Sequence, residues 1–133
     1  MDKYAKNLHW IKFPNMKRAS FKVRHPALFF LLIAAGITAF LFYFVYGRLP
    51  FYPCWLFCLS VVTFLFYGYD KRQSAKIGAW RVPEIVLHLL SLAGGFVGAF
   101  LGRRYYHHKT QKISFIVVIV LSALLHIALL LYF

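Results

Sequence analysis

Apolar positions along this chain do not alternate with polar ones but gather into four long stretches. Runs free of Lys, Arg, Asp and Glu extend from His25 to Gly47, Leu49 to Tyr69, Ile85 to Gly102 and Ile113 to Phe133. Each reaches or approaches the roughly 20 residues a helix needs to cross about 30 Å of hydrocarbon. Membrane strands demand an alternation of period two, and Phe115-Ile116-Val117-Val118-Ile119-Val120-Leu121 has none. The pattern predicts an all-α integral membrane protein of four hydrophobic helices, at about 26–47, 50–69, 83–102 and 113–133. They form one membrane domain over 25–133, behind a polar tail at 1–24.

Local residues punctuate these helices. Pro26 suits a first helical turn, and Arg48-Leu49-Pro50-Phe51-Tyr52-Pro53 reads as a tight interfacial turn. Pro83 is expected at the first position of the third helix, with the Glu84 carboxylate in the first turn against the helix dipole. In the third run Ser91, Gly95 and Ala99 make one small-residue stripe, and Gly94, Gly98 and Gly102 another. Such stripes let membrane helices approach closely, so Ser91, Gly94, Gly95, Gly98 and Gly102 are expected packing positions, within one chain or between copies.

Composition sharpens the class. The 133 residues suit one compact domain; 62% are hydrophobic and only 14% charged, against about a quarter in soluble domains. Sixteen Lys and Arg against three acids give a net charge of +13, which in a soluble protein would point to nucleic acid. Here the cations stand at the ends of apolar runs, where they orient the chain and meet anionic headgroups.

The tail carries Lys3, Lys6, Lys12, Lys17, Arg18, Lys22 and Arg24 against Asp2, interleaved with Tyr4, Trp10, Phe13 and Phe21. It reads either as a tether to anionic lipid or as a solvated segment that sets topology. Set against the single Arg48 of the first turn, it places the N-terminus and Asp70 in the cytoplasm. The expected location is a bacterial inner membrane, with the first run an uncleaved signal-anchor because it spans a full bilayer.

The segment from Asp70 to Glu84 holds the candidate chemistry. In one reading Asp70 and Glu84 form ion pairs with Lys71, Arg72, Lys76 and Arg81, locking the second helix to the third. In the other, Arg81 with Lys71 or Arg72 forks onto a lipid phosphate while Asp70 or Glu84, the latter within reach of Arg81, orients the guanidinium. His108, Lys109 and Lys112 join this anion site if their loop lies on the same side. Glu84, His88, Ser91 and Gly95 share one helical face, with His88 expected as a hydrogen-bonded packing residue. Adjacent His107 and His108 point apart and imply no metal, and His126 in the fourth helix has no reading by itself. Cys54 and Cys58, four apart on one helix, are poorly placed for a disulfide.

Tyr69-Asp70-Lys71, Ala75, Arg81-Val82-Pro83-Glu84, Leu87, Gly94-Gly95, Gly98 and His108-Lys109-Thr110 with Lys112 and Phe115 resemble the DUF1294 family, small bacterial membrane proteins of unassigned function. The resemblance runs over roughly 55–130. Some members of that family carry a cold-shock, nucleic-acid-binding domain ahead of the membrane part. The tail here is too short for such a barrel, so the resemblance does not bring nucleic-acid binding with it.

No catalytic motif, paired carboxylates, metal ligand set or cofactor fingerprint is present in the sequence. The leading expectation is a binding or scaffold role towards anionic lipid or a membrane partner. A membrane anchor for a nucleic-acid-associated function comes second. A small lipid-modifying enzyme using Glu84, His88 and His108, or an oligomeric transporter, comes third.

Two rules conflict over topology. Four crossings put the basic loop from Arg103 to Lys112 opposite the tail, against the positive-inside tendency. A re-entrant hairpin bending at Gly94-Gly95 returns that loop to the cytoplasmic side, but exposes backbone groups within the membrane. Both small-residue stripes keep register across Gly94-Gly95, and on that ground four crossings are expected.

Overall fold

In the computed structural model of the chain, residues 25–107 and 112–132 are described, and all regular structure among them is helical. Helix α1 spans Pro26–Val45, α2 Phe51–Ser74, α3 Glu84–Leu90, α4 Phe96–Tyr106 and α5 Ile113–Tyr132, with a widened turn, Ser91–Gly95, between α3 and α4. Four helical stretches are long and apolar enough to cross a membrane: α1, α2, the α3–α4 run Glu84–Tyr106, and α5.

Pro26 starts α1, where its fixed φ suits a first turn and its missing N–H costs nothing. The second helix runs past Tyr69 to Ser74, so Asp70, Lys71 and Arg72 are helical. Lys71 and Arg72 there complement the negative end of the helix dipole. Pro83 stands one residue ahead of α3, and Glu84 is its first residue.

Helix α2 is the axis of the fold. Leu59, Val62, Phe66 and Tyr67 are buried against Phe30 and Ala34 of α1, Val86, Leu87 and Leu90 of α3, Ala99 of α4, and Phe115 and Ile119 of α5. Ring contacts give the directions. Phe30 meets Phe66 and Tyr69 while Phe42 meets Phe51 and Trp55, so α1 runs antiparallel to α2. Phe115 meets Tyr67 and His126 meets Tyr52, so α5 is antiparallel to α2 as well.

The third run follows the bent path. Gly94 has φ +134° and ψ −2°, outside helical space, and the chain reverses there. Proceeding from Gly94 to Tyr106, the neighbours on α2 advance from Leu56 and Leu59 through Ser60 and Thr63 to Tyr67 and Gly68. Thus α4 runs parallel to α2 and back towards the end from which α3 descended. The register of small residues does not survive the turn. Its continuity in the sequence reflects the shared demand for small side chains on both sides of the bend rather than one unbroken helix.

Glycine is required where α4 meets α2. A Cβ on Gly98 would collide with the Ser60 carbonyl oxygen, one on Gly95 with the Thr63 hydroxyl, and one on Gly102 would lie 2.8 Å from Tyr67 Cβ. The small faces of Gly95, Gly98 and Gly102 are therefore filled by α2 of the same chain. Outward positions such as Leu32, Phe40 and Leu124 are exposed apolar side chains, as a lipid-facing surface requires.

Candidate functional site

Reversing a helix inside hydrocarbon frees backbone carbonyls that water cannot reach. Three consecutive carbonyls at the bend are each met by a side chain from another helix. Ser122 Oγ donates to the Ser91 carbonyl, His126 Nε2 donates to Leu92 at 3.0 Å, and Trp55 Nε1 donates to Ala93 at 3.0 Å. The Tyr52 hydroxyl donates to His126 Nδ1 at 2.7 Å, and Phe96 stacks on the imidazole. Since a carbonyl only accepts, Nε2 carries the hydrogen and a neutral ring satisfies both partners. His126, unreadable in the sequence alone, is a clamp on the hairpin tip.

The other end of the hairpin gathers charge. Glu84 and Lys112 form an ion pair that joins the start of α3 to the residue before α5. Asp70 is wholly buried and lies 3.5 Å from Arg81 Nε, whose side chain is half exposed. His88 packs against Phe115 at 4.3 Å between ring centroids, and Phe115 also meets Tyr67 edge-on. The face that carries Glu84, His88 and Ser91 is thus turned towards α5.

Arg81 reaches Asp70, one of the two acids expected to orient it, and Glu84 reaches Lys112. Lys71 and Arg72 are exposed on the last turn of α2. His108, Lys109 and the tail at 1–24 lie outside the described residues. Cys54 and Cys58 are buried free thiols on α2.

Arg103 and Arg104 were passed over by residue-type reasoning. They line a cleft of about 840 Å³ with Phe64, Phe100, Leu101, Tyr105 and His107. The Arg-Arg-Tyr-Tyr string that marks this cleft is visible in the sequence, but an unbroken third helix carries it to the opposite side of the membrane. Among the described residues every Lys and Arg except Arg48 now lies at the end that holds Asp70.

A family described as a protein of unknown function (DUF1294) matches residues 60–115. Those bounds take in the second half of α2, the polar link, the whole hairpin and the start of α5. The uncharacterized protein YsdA of Bacillus subtilis (strain 168) is 34% identical over 61 residues, covering 46% of this chain and 67% of YsdA. This chain belongs to the DUF1294 family. The family match is narrower than the expected 55–130 and leaves out α1 and most of α5. No solved structure matches the chain. The hairpin, its glycines and both ion pairs thus lie within the part matched to the DUF1294 family, whereas Ser122, His126 and Tyr52 of the tip clamp lie outside it.

Proposed function

We propose that this DUF1294 protein is an inner-membrane protein that binds anionic lipid headgroups through a basic cytoplasmic face. The observation that supports the reading is the return of the hairpin, which brings Arg103, Arg104 and Lys112 to the end already holding Lys71, Arg72 and Arg81. Orientation follows from the same asymmetry. With Arg48 alone at the far end, the positive-inside tendency directs the Asp70 end, and the tail that precedes α1, to the cytoplasm. Three crossings and one hairpin reconcile the basic loop from Arg103 to Lys112 with that tendency.

Both acids of the face engage cations. Asp70 engages Arg81 and Glu84 engages Lys112, and these pairs tie α2, the link, the start of α3 and the approach to α5 into a platform. Exposed Lys71, Arg72 and Arg104 on that platform point charge at the headgroup layer, where each contributes about 1 kcal/mol of attraction to an anionic leaflet.

The test is lipid retention. Full-length protein extracted from a membrane of mixed phosphatidylglycerol and phosphatidylcholine is expected to carry phosphatidylglycerol in excess of its bulk fraction. That enrichment is expected to fall with ionic strength and with joint neutralisation of Lys71, Arg72 and Arg104. Retained lipid of bulk composition contradicts the reading. Salt-sensitive capture of single-stranded nucleic acid without lipid enrichment supports the anchor role instead.

A further inference from the structure

We infer that the cleft between α2 and α4 is a discrete site for one anionic phospholipid, with the phosphate on Arg104 and Arg103 and an acyl chain along Phe64, Phe100 and Leu101. The inference deepens the basic-face reading and rests on it.

Four observations combine here. The cleft is about 840 Å³, within the range of small-molecule sites, and its lining among the described residues joins Arg103 and Arg104 to the apolar wall of Phe64, Phe100 and Leu101. Its depth is graded. Phe64 and Phe100 lie about one and a half to two helical turns further from the basic end than Asp70 and Tyr106 respectively, so the apolar part reaches into the hydrocarbon.

Aromatic rings pack together along one side of the cleft. Phe64 packs on Tyr105 and Tyr106 at 6.0 and 5.2 Å, and the two tyrosines meet edge-on at 5.0 Å. Tyr106 lies so close over Gly68 that a Cβ there would be 2.6 Å from its hydroxyl, so no side chain at 68 displaces the ring. Tyrosines at this level match the interfacial belt of a bilayer.

Finally, guanidinium groups present two parallel N–H donors to phosphate oxygens, which an ammonium cannot imitate. A contrasting cleft of about 810 Å³ between α1, α2 and α3 is lined by residues such as Leu31, Ala34, Phe42, Leu59 and Leu90 and, among the described residues, by no charged side chain. It offers nothing to a headgroup. The occupant of the α2–α4 cleft is amphiphilic and anionic, which a free phosphate or a bare acyl chain is not.

The experiment measures relative retention of phosphatidylglycerol over phosphatidylcholine by native mass spectrometry of the full chain released from nanodiscs. Arg104→Gln, at an exposed position, is expected to lower the ratio about tenfold. Arg104→Lys is expected to recover only part of it. Leu101→Trp leaves the charge intact and fills the apolar wall, and is expected to lower retention of both lipids at this site. Lys71→Gln with Arg72→Gln, on the basic face but outside the cleft, is expected to lower the general excess of phosphatidylglycerol while keeping the single high-occupancy lipid.

Wild-type retention in both Arg104→Gln and Leu101→Trp overturns the cleft. So does displacement of the lipid by millimolar inorganic phosphate, which would make the site a phosphate site without a chain. Loss of the high-occupancy lipid in Lys71→Gln with Arg72→Gln alone leaves the basic face standing and removes the cleft. Absence of any phosphatidylglycerol preference in the wild type removes both.

Discussion

Glu84 and Lys112 touch although 28 positions separate them, and that contact determines the path of the chain between them. An unbroken helix over the 23 residues Glu84–Tyr106 would be roughly 34 Å long. The six residues from His107 to Lys112 span at most about 20 Å when fully extended. A straight third span therefore leaves Lys112 short of Glu84, whereas a hairpin reversing at Gly94 brings it there.

The bend depends on Gly94 because its φ of +134° is open to glycine and strained for any L side chain. Gly94→Ala is expected to destabilise the protein by about 1–3 kcal/mol, read as a lowered Tm in detergent. Gly36 on α1 has open space where a Cβ would go, so Gly36→Ala is the control and is expected to leave Tm unchanged or slightly raised. Equal effects at both positions would count against a turn at Gly94.

Close approach of α4 to α2 gives a second expectation. Gly98→Ala forces a methyl group into the Ser60 backbone carbonyl, an atom that cannot rotate away. The cost is about 1–3 kcal/mol, and Gly98→Leu is expected to prevent the helices from docking. Wild-type Tm in Gly98→Ala would show that the two backbones are not in contact there.

The tip clamp predicts a ranking. His126→Phe keeps much of the ring stacking on Phe96 but leaves the Leu92 carbonyl and the Tyr52 hydroxyl without their partner. Ser122→Ala does the same to the Ser91 carbonyl, at a buried position. Each is expected to cost about 1–3 kcal/mol. Trp55→Phe, at a more exposed position, is expected to cost less. Hydrogen exchange at residues 94–97 should accelerate in all three; unchanged exchange in His126→Phe would remove the clamp.

The membrane helices were legible because hydrophobic length is a one-dimensional property. Run boundaries near Pro26, Phe51 and Ile113 fell within a few residues of the structural ones, and Glu84 was correctly placed in a first turn. The bend was not legible, because glycines at spacings of three and four serve helix packing and helix reversal alike. Deciding between the two needed the caps on Ser91, Leu92 and Ala93, which come from Ser122, His126 and Trp55, 31, 34 and 38 positions away. No local pattern announces such partners. The charge conflict over Arg103–Lys112 was the available signal, and it pointed to the hairpin.

Ion pairing at the basic end can be tested by a double-mutant cycle. Asp70→Asn is expected to cost more than Arg81→Gln, because Asp70 is wholly buried while Arg81 is half exposed. The two are expected to couple by on the order of 1 kcal/mol, a value held down by solvent at Arg81. Additivity within error would place the two side chains apart.

The number of crossings separates the account from its alternative in one measurement. A side-specific reporter fused after Phe133 is compared with the same reporter fused ahead of Met1. Three crossings plus a hairpin put the two ends on opposite sides of the membrane, with the reporter after Phe133 away from the face that carries Asp70 and Arg104. Both reporters on the same side would mean that Glu84–Tyr106 crosses the bilayer, and would contradict the hairpin and the shared basic face together.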